Sequence, residues 1–393
     1  MGALRGAGRL MAVIRIAVLA RLLAPQQFGL FAIASLAIAL LEMLTETGIN
    51  VFFIQEKDRV KTYLDTAWMI SIVRGFVIFL VLLITAPFIA QFFKNQDAVA
   101  LLRVISIVPL LRGFINPAEI KFQKKLQFSK EFRFRFFIFL FDGIVAIIAA
   151  LVTRSVYSLV LGLISGVILE IAISFLFIKP VPKLSFESVK IKKIVGRGKW
   201  VTLAGIFNYL FHNGDDIVVG RLMDSYYLGV YQLAYKITSL PIYEAGEVFG
   251  KVTFPVYAKI AGDKKRLKKA FIKITLAISA FVIPFGLILF LFPKQLVLLL
   301  LGDKWLDAVP VIKVLSVFGV IRAIAGSSSA LFLAINKQEY VTALTFVSII
   351  GLVLTIVPLV NKYGILGAGY SALIGTFLAI PVIGFYLLCI FKN

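Results

Sequence analysis

Long apolar runs separated by short polar segments dominate the 393-residue sequence. A helix of about 20 apolar residues is long enough to cross the hydrocarbon core of a bilayer. The pattern predicts twelve such helices, at approximately 5–23, 28–54, 63–90, 98–118, 132–152, 156–178, 198–219, 226–256, 270–292, 306–334, 339–360 and 364–391. The first run carries Arg15 and Arg21, which do not fit the apolar region of a cleavable signal peptide. The sequence therefore predicts an all-α membrane protein with about twelve transmembrane helices.

The distribution of Lys and Arg between the connecting segments predicts the orientation of these helices. Alternate connections, beginning with the N-terminus, hold 26 Lys and Arg residues, whereas the other set holds 7. Basic residues are concentrated in cytoplasmic connections of membrane proteins. We therefore expect a multi-pass protein of the inner or plasma membrane, with both termini in the cytoplasm.

The sequence also repeats itself at a distance of about half its length. Residues 18–34 align without gaps on residues 218–234, and Arg21 falls on Arg221. A second match, at a shift of 210, aligns Arg103, Ser106 and Arg112 with Lys313, Ser316 and Arg322. We interpret these matches as a duplication.

The duplication predicts a two-lobed architecture. The N-lobe comprises residues 1–178, a basic cytoplasmic linker comprises residues 179–197, and the C-lobe comprises residues 198–393. Six helices in each lobe return the chain to its starting side, so the lobes would be related by a pseudo-twofold axis along the membrane normal. Transporters built in this way carry the substrate path between their halves.

Composition and charge narrow the chemistry. Only 16% of the residues are charged, against about 25% in soluble domains. One Cys and one His exclude a disulfide framework and a Cys/His zinc site, and we expect neither a metal nor an organic cofactor. The net charge of +22 is divided into short blocks, whereas nucleic-acid binding needs one continuous basic face. No nucleic-acid partner is expected, and no Walker-type nucleotide loop occurs.

Four segments resemble a known transporter family. They are ARLLAPQQFGLFA (20–32), TETGINVFFIQEKD (45–58), NGDDIVVGRLMDSYYLGVYQLAYKITSLP (213–241) and FPVYAKIAGDKKRLKKAF (254–271). Together they are similar to segments of Wzx-like oligosaccharide flippases of the polysaccharide-transport type, whose superfamily also contains multidrug exporters and lipid II flippases. Two features depart from the family pattern. The first helix begins almost at residue 1, as in a short or trimmed form, and twelve spans are fewer than the fourteen of lipid II flippases.

The resemblance implies a function. Such a flippase moves a polyprenyl-diphosphate-linked oligosaccharide from the cytoplasmic to the outer leaflet by alternating access, for O-antigen or exopolysaccharide synthesis. Its expected partners are this substrate, the surrounding membrane lipids and polysaccharide assembly proteins.

Basic residues within the predicted spans are candidate substrate ligands. Each costs about 2.5–3.5 kcal/mol at the centre of a lipid-facing helix, so these residues should line a polar interior or be paired. Arginine presents a planar, permanently charged fork to a diphosphate. The candidates are Arg74, Arg112 and Arg322, followed by Arg15 and Arg103. Arg103 and Arg112 are nine residues apart, so both could line one cavity only if their helix bends.

Acidic residues in the spans have two interpretations. They neutralise the basic residues, or they bind the H⁺ or Na⁺ that couples transport. The candidates for coupling are Asp215, Asp216, Glu42, Glu46, Glu244 and Glu247. His212 lies beside the two aspartates in sequence and is interpreted as a hydrogen-bonded interior residue.

Other functions remain open at this point. The first alternative is a cation-coupled multidrug exporter. The second is a membrane glycosyltransferase or ligase, but such enzymes usually carry catalytic residues on a large external loop. The longest segment outside the predicted spans is the basic stretch 179–199, so we do not expect an enzyme. A major-facilitator fold lacks support, because the glycine-framed motif expected beside residues 56–59 is absent.

Overall fold

The structure is a computed structural model. It describes the backbone of residues 2–55 and 61–392, without the side chains of 2–7, 9, 51, 55, 61, 188–189, 192–204, 207–208 and 240–252. Within these residues the chain is helical and forms no strand. The helices are α1 (Gly2–Leu22), α2 (Pro25–Leu44), α3 (Ile49–Gln55), α4 (Lys61–Phe92), α5 (Ala98–Ile105), α6 (Ile107–Arg112), α7 (Lys121–Lys124), α8 (Phe128–Thr153), α9 (Tyr157–Phe177), α10 (Ser188–Leu222), α11 (Ser225–Ile260), α12 (Lys264–Leu291), α13 (Pro293–Leu300), α14 (Ala308–Ala334), α15 (Gln338–Tyr363) and α16 (Ile365–Lys392), with 3₁₀ turns at Pro117–Ile120 and Asp303–Trp305.

The prediction of an all-α, multi-pass membrane protein is confirmed. Each of the twelve predicted runs overlaps one long helix or a pair of consecutive helices. Among the described residues, eight single helices are long and apolar enough to cross a membrane. A ninth span is possible if Ala98–Arg112 and Pro117–Lys124, which meet at a bend of 65°, cross together. The count of twelve spans stays a prediction.

The second predicted run, 28–54, is interrupted rather than continuous. Helix α2 ends at Leu44, and α3 begins at Ile49. Thr45 turns its hydroxyl back onto the carbonyl of Leu41 at 2.6 Å, and Gly48 adopts a positive φ of 66°. Gly48 directly precedes α3, and its left-handed conformation, which glycine adopts readily, interrupts the helical backbone between α2 and α3.

Helix boundaries repeat along the chain as the sequence matches do. Helices α1 and α10 end at Leu22 and Leu222, and the next helices begin at Pro25 and Ser225, a shift of 200. Helices α8 and α15 both contain 26 residues and begin 210 residues apart. The Ser106 hydroxyl donates to the carbonyl of Arg103 at 2.6 Å, and the Ser316 hydroxyl donates in the same way to Lys313 at 2.8 Å. These features support the duplication.

The chain divides into two compact units. The first comprises Met1–Gly214 with Asp224–Tyr226, and the second comprises Asp215–Met223 with Tyr227–Asn393. The first has a core around Phe52, Phe53 and Leu64, and the second has one that contains Tyr257 and Phe332. The predicted lobe boundaries, 1–178 and 198–393, stay a prediction. Helix α10 begins at Ser188, so the second part of the segment predicted as a linker is helical.

Candidate functional site

A cavity of about 570 Å³ lies within the first unit. Its walls come from α2, α4, α6 and α10, with the turn after α2. The lining residues are Ala39, Glu42, Met43, Glu46, Ser71, Arg74, Gly75, Ile78, Pro109, Arg112, Gly113, Tyr209, His212 and Asn213. Ligand pockets commonly have volumes of about 300–1,000 Å³. The cavity is therefore large enough for a head group that combines a diphosphate and a sugar.

Two of the arginines predicted as substrate ligands meet in this cavity, together with two of the predicted coupling glutamates. Arg112 Nη1 lies 2.7 Å from Glu42 Oε1. Arg74 Nη2 lies 3.3 Å from Glu46 Oε2 and donates to the Glu42 carbonyl at 2.6 Å. Arg74 Nε also donates to the Thr45 hydroxyl at 3.1 Å. The turn that interrupts the second predicted run therefore supplies acceptors that hold Arg74.

Two glycines allow the arginine-bearing helices to approach each other closely. A Cβ atom on Gly75 of α4 would lie 2.5 Å from the Pro109 carbonyl oxygen. A Cβ atom on Gly113, directly after α6, would lie 2.8 Å from the Ser71 carbonyl oxygen. Both distances are shorter than real Cβ contacts, so only glycine fits at this helix crossing. Because each glycine is next to one of the arginines, the close packing also brings Arg74 and Arg112 into one cavity.

Helix α10 contributes a wall of polar groups. Tyr209 is buried and donates its hydroxyl to the Leu36 carbonyl at 2.8 Å, which fixes α10 against α2. Asn213 Nδ2 donates to the Tyr209 carbonyl at 3.0 Å, which leaves its side-chain oxygen as an acceptor. His212 is exposed in the cavity lining. Tyr209 and Asn213 were not predicted as site residues, and only their position one turn or less from His212 could have indicated them.

The charges of the lining are mixed rather than purely cationic. Two arginines face two glutamates, so their formal charges cancel if His212 is neutral. The sequence predicted that the basic residues of the spans line a polar interior or are paired, and Arg74 and Arg112 do both. Which carboxylate each arginine contacts depends on how the helices pack. The Arg112–Glu42 pair is open to water, with 42% and 31% of the two side chains exposed.

A family model described as polysaccharide biosynthesis protein matches residues 18–310. The chain belongs to this family. A lipopolysaccharide biosynthesis protein of Escherichia coli, WzxC, is 26% identical over 335 residues, which are 82% of this chain and 66% of that protein. The teichuronic acid biosynthesis protein TuaB of Bacillus subtilis is 25% identical over 76% of this chain and 62% of its own length. The chain thus spans slightly less than two thirds of the length of these two relatives.

Solved transporter structures share the fold. The lipid II flippase MurJ in an inward closed conformation matches with a TM-score of 0.74 and 15% identity, over 98% of this chain and 87% of that chain. An inward-facing multidrug resistance MATE family transporter of the MOP superfamily matches with a TM-score of 0.71 and 17% identity, over 98% and 94%. At these identities the likeness establishes the fold alone. It does not separate a lipid flippase from a multidrug exporter.

Two other arginines that were predicted to bind substrate lie outside the cavity lining. Arg15 of α1 forms a two-pronged ion pair with Asp142 of α8, with both N–O distances 2.8 Å. Its guanidinium also lies 5.4 Å from the centre of the Phe139 ring. Arg103 is exposed on α5. Helices α5 and α6 are separated only at Ser106, whose backbone is right-handed helical, and Arg103 does not line this cavity.

The remaining candidates belong to the second unit. Arg322 donates to the Tyr235 hydroxyl at 3.2 Å and lies over the Phe318 ring. Asp215 accepts a 2.8 Å hydrogen bond from Tyr231, and Asp216 accepts one of the same length from Gln232. The side chains of the other two candidates, Glu244 and Glu247, lie outside the described residues. The roles assigned to all these residues stay predictions.

Proposed function

We propose that this protein is a flippase that moves a polyprenyl-diphosphate-linked oligosaccharide from the cytoplasmic to the outer leaflet for surface polysaccharide synthesis. The observation that carries the proposal is the convergence of Arg74 and Arg112 in one cavity of the first unit. The family match and the relatives named for lipopolysaccharide and teichuronic acid biosynthesis support it. The inner or plasma membrane and cytoplasmic termini are part of this proposal.

The cavity chemistry suits the head group of such a substrate. A diphosphate presents several oxygens to the two guanidinium groups, and charge-assisted hydrogen bonds of this kind are stronger than neutral ones. His212 and the side-chain oxygen of Asn213 can contact hydroxyl groups of the adjoining sugar. The polyprenyl tail remains in lipid, because burying it in a polar cavity would forfeit its favourable apolar surroundings.

The glutamates give the cavity a means of coupling. A diphosphate that binds Arg112 and Arg74 displaces Glu42 and Glu46 from their ion pairs. A carboxylate that is separated from its arginine is free to bind a small cation instead. We infer that substrate binding and cation uptake accompany each other, with H⁺ or Na⁺ as the ion. The membrane potential also favours outward movement of an anion, by about 2.3 kcal/mol per charge per 100 mV.

Transport in reconstituted vesicles tests the proposal. Purified protein is inserted into liposomes that contain a fluorescent polyprenyl-diphosphate oligosaccharide, and a membrane-impermeant quencher reports label that reaches the outer surface. The expected result is protein-dependent movement of substrate whose chemical structure is unchanged on thin-layer chromatography. Absence of movement, combined with export of small organic cations, would overturn the flippase in favour of a multidrug exporter. A new glycosidic bond in the recovered lipid would instead indicate an enzyme.

A further inference from the structure

One end of the second unit concentrates positive charge. The ends of α11, α14 and α16 and the beginnings of α12 and α15 pack together there around Tyr257, Leu267 and Phe332. The segments 253–273, 331–345 and 379–392 that form this end contain nine basic and two acidic residues. We call the nine basic residues the basic end: Lys259, Lys264, Lys265, Arg266, Lys268, Lys269, Lys273, Lys337 and Lys392. All nine are exposed.

The two acidic residues are already engaged locally. Asp263 accepts the backbone N–H of Arg266 at 3.0 Å, which caps α12, and lies 3.3 Å from Arg266 Nε. Glu339 lies 3.4 Å from Lys337 Nζ. These contacts involve two of the nine cations. Among the described residues, the lysines of the first turns of α12 therefore form a field of one sign.

The course of α12 places these lysines at the level of lipid headgroups. Lys265, Lys268 and Lys269 share a helix face with the apolar residues that follow at the same spacing, which are Ile272, Leu276, Ile283 and Leu287. The side chains of those four are 48%, 63%, 42% and 50% exposed. In a multi-pass membrane protein, an exposed apolar stripe of this kind contacts acyl chains. At 1.5 Å per residue, Lys269 lies only about 10 Å along the axis from Leu276.

Aromatic residues at the same end reinforce this placement. Tyr340 and Tyr386 stack with ring centroids 3.9 Å apart and an angle of 4° between their planes. Phe271 and Phe391 form a further pair at 6.1 Å. Tyr is enriched where membrane proteins meet the headgroup region, since it has an apolar ring and a polar tip. The basic end therefore surrounds an aromatic cluster of the type found at the membrane surface.

Part of another basic block, residues 121–135 of the first half, makes local contacts. Lys121 donates to the Lys179 carbonyl at 2.8 Å. Arg135 lies within 3.5 to 3.8 Å of three carboxylates, those of Glu119, Glu131 and Glu170. Orientation in the membrane requires only an excess of basic residues on one side. It does not require three lysines to share one face of α12 directly before an exposed apolar stripe.

We propose that the basic end is a binding surface for anionic phospholipid headgroups, and that Lys265, Lys268 and Lys269 form its centre. Lysine suits this role because its compact charge on a flexible stem can follow mobile phosphates. The proposal is independent of the flippase function, because it concerns the bulk lipids around the protein rather than the molecule transported.

Spin-label electron paramagnetic resonance measures this directly. The full-length protein is reconstituted with phosphatidylcholine and trace lipid labelled at one acyl position, carried either by phosphatidylglycerol or by phosphatidylcholine. We expect the motionally restricted fraction to show at least about twofold preference for phosphatidylglycerol at low salt, since each basic residue near the surface attracts anionic lipid. The triple variant K265Q/K268Q/K269Q should lose most of that preference, and about 0.5 M salt should weaken it in the unaltered protein.

Matched variants distinguish the effect of this surface on lipid preference from the effects of total charge and of misfolding. K294Q/K304Q/K362Q removes three exposed charges of the same unit elsewhere, and it should keep the preference. K265R/K268R/K269R should also keep it. If the glutamine variant does not fold, three measurements still test the proposal. They are the salt dependence of the unaltered protein, the arginine variant and the K294Q/K304Q/K362Q variant. The absence of any preference in the unaltered protein, or an equal loss in K294Q/K304Q/K362Q, would overturn the proposal.

Discussion

Arg112 combines exposure, charge and a removable partner in one side chain. Its guanidinium is 42% exposed and bound to Glu42 at 2.7 Å. Arg15, in contrast, is 18% exposed and held by both oxygens of Asp142. An arginine in an exposed ion pair exchanges its carboxylate for a ligand more easily than an enclosed arginine does, because water can screen the separated charges. Of these two arginines, Arg112 is therefore the one that we propose as a diphosphate ligand.

Replacing Arg112 by alanine should therefore weaken the binding of a diphosphate ligand. Hydrogen bonds to charged groups contribute about 1.5–3 kcal/mol, so Arg112→Ala should weaken binding of farnesyl diphosphate roughly 10- to 100-fold. Arg103→Ala removes an exposed arginine one helix earlier and should change the affinity little. Isothermal titration calorimetry of the purified variants measures both. Equal losses in the two variants would show that binding depends on overall charge and not on this cavity.

The glutamates provide a second prediction, on competition with the ligand. If a diphosphate displaces Glu42 and Glu46 from their arginines, these two carboxylates weaken its binding. The variant Glu42→Gln/Glu46→Gln should therefore bind farnesyl diphosphate more tightly, because the ligand no longer competes with carboxylates. Isothermal titration calorimetry of the two proteins measures the difference. Unchanged or weaker binding by the double variant would show that the ligand does not displace these glutamates.

Sequence alone identified Arg74, Arg112, Glu42 and Glu46 as candidates because a charge in an apolar span is costly unless it is used. It could not pair them. Glu42 and Arg112 are 70 residues apart, and their contact depends on how α2 and α6 pack. For the same reason Tyr209 and Asn213 were not predicted, since polar side chains in a helix acquire a role only from the elements opposite them.

At the scale of elements, the crossing of α4 and α6 is the feature on which the cavity depends. The backbones approach closely at Gly75 and Gly113, and helices in membranes commonly pack through small residues at such points. The sequence did not distinguish these glycines from the others, because a glycine in an apolar helix can equally mark a kink or have no packing role. The break after α2 was missed for a related reason: apolar residues continue on both sides of the turn at 45–48.

A single methyl group should disturb this crossing. In Gly113→Ala, the added Cβ would meet the Ser71 carbonyl oxygen at 2.8 Å, and overpacking of this kind typically costs about 1–3 kcal/mol. Gly326→Ala on α14 has no atom within 4 Å of the added Cβ and should be neutral or slightly stabilising through helix propensity. We expect a lower thermal midpoint and weaker diphosphate binding in the first variant only. Unchanged stability of Gly113→Ala would remove the argument that glycine is required here.

At the scale of the whole molecule, the two halves share a helical framework but differ in chemistry. Gly286 on α12 approaches Val320 of α14. In the same way, Gly75 on α4 approaches residues of α6, the helix that corresponds to this part of α14.

The charged residues of the first half are not all repeated in the second. With these glycines matched, Arg74 corresponds to Phe285, and at the shift of 200 Glu42 corresponds to Ile242. Arg112 corresponds to Arg322, whose described partner is the Tyr235 hydroxyl. The duplication was predictable because the motifs survived, whereas Arg74 and Glu42 have no charged counterparts at these matched positions.

The topology of the second half can be tested on one helix. Helix α15 contains 26 residues and is about 39 Å long, enough to cross a hydrocarbon core of about 30 Å. Lys337 and Lys362 lie at its two ends and are exposed. With Cys389, the sole cysteine, replaced by serine, Lys337→Cys should react with a membrane-impermeant maleimide only in inverted vesicles. Lys362→Cys should react only in right-side-out vesicles.

Labelling of both positions from the same side would mean that α15 does not cross the membrane, and the count of twelve spans would then be wrong. Reversed labelling, with Lys362→Cys reacting from the cytoplasmic side, would keep the span but invert the protein. The basic end would then face the outer leaflet, against the direction in which 26 of the counted basic residues should orient the chain. Because Lys337 belongs to the basic end, the same measurement decides which leaflet supplies the anionic lipids proposed to bind there.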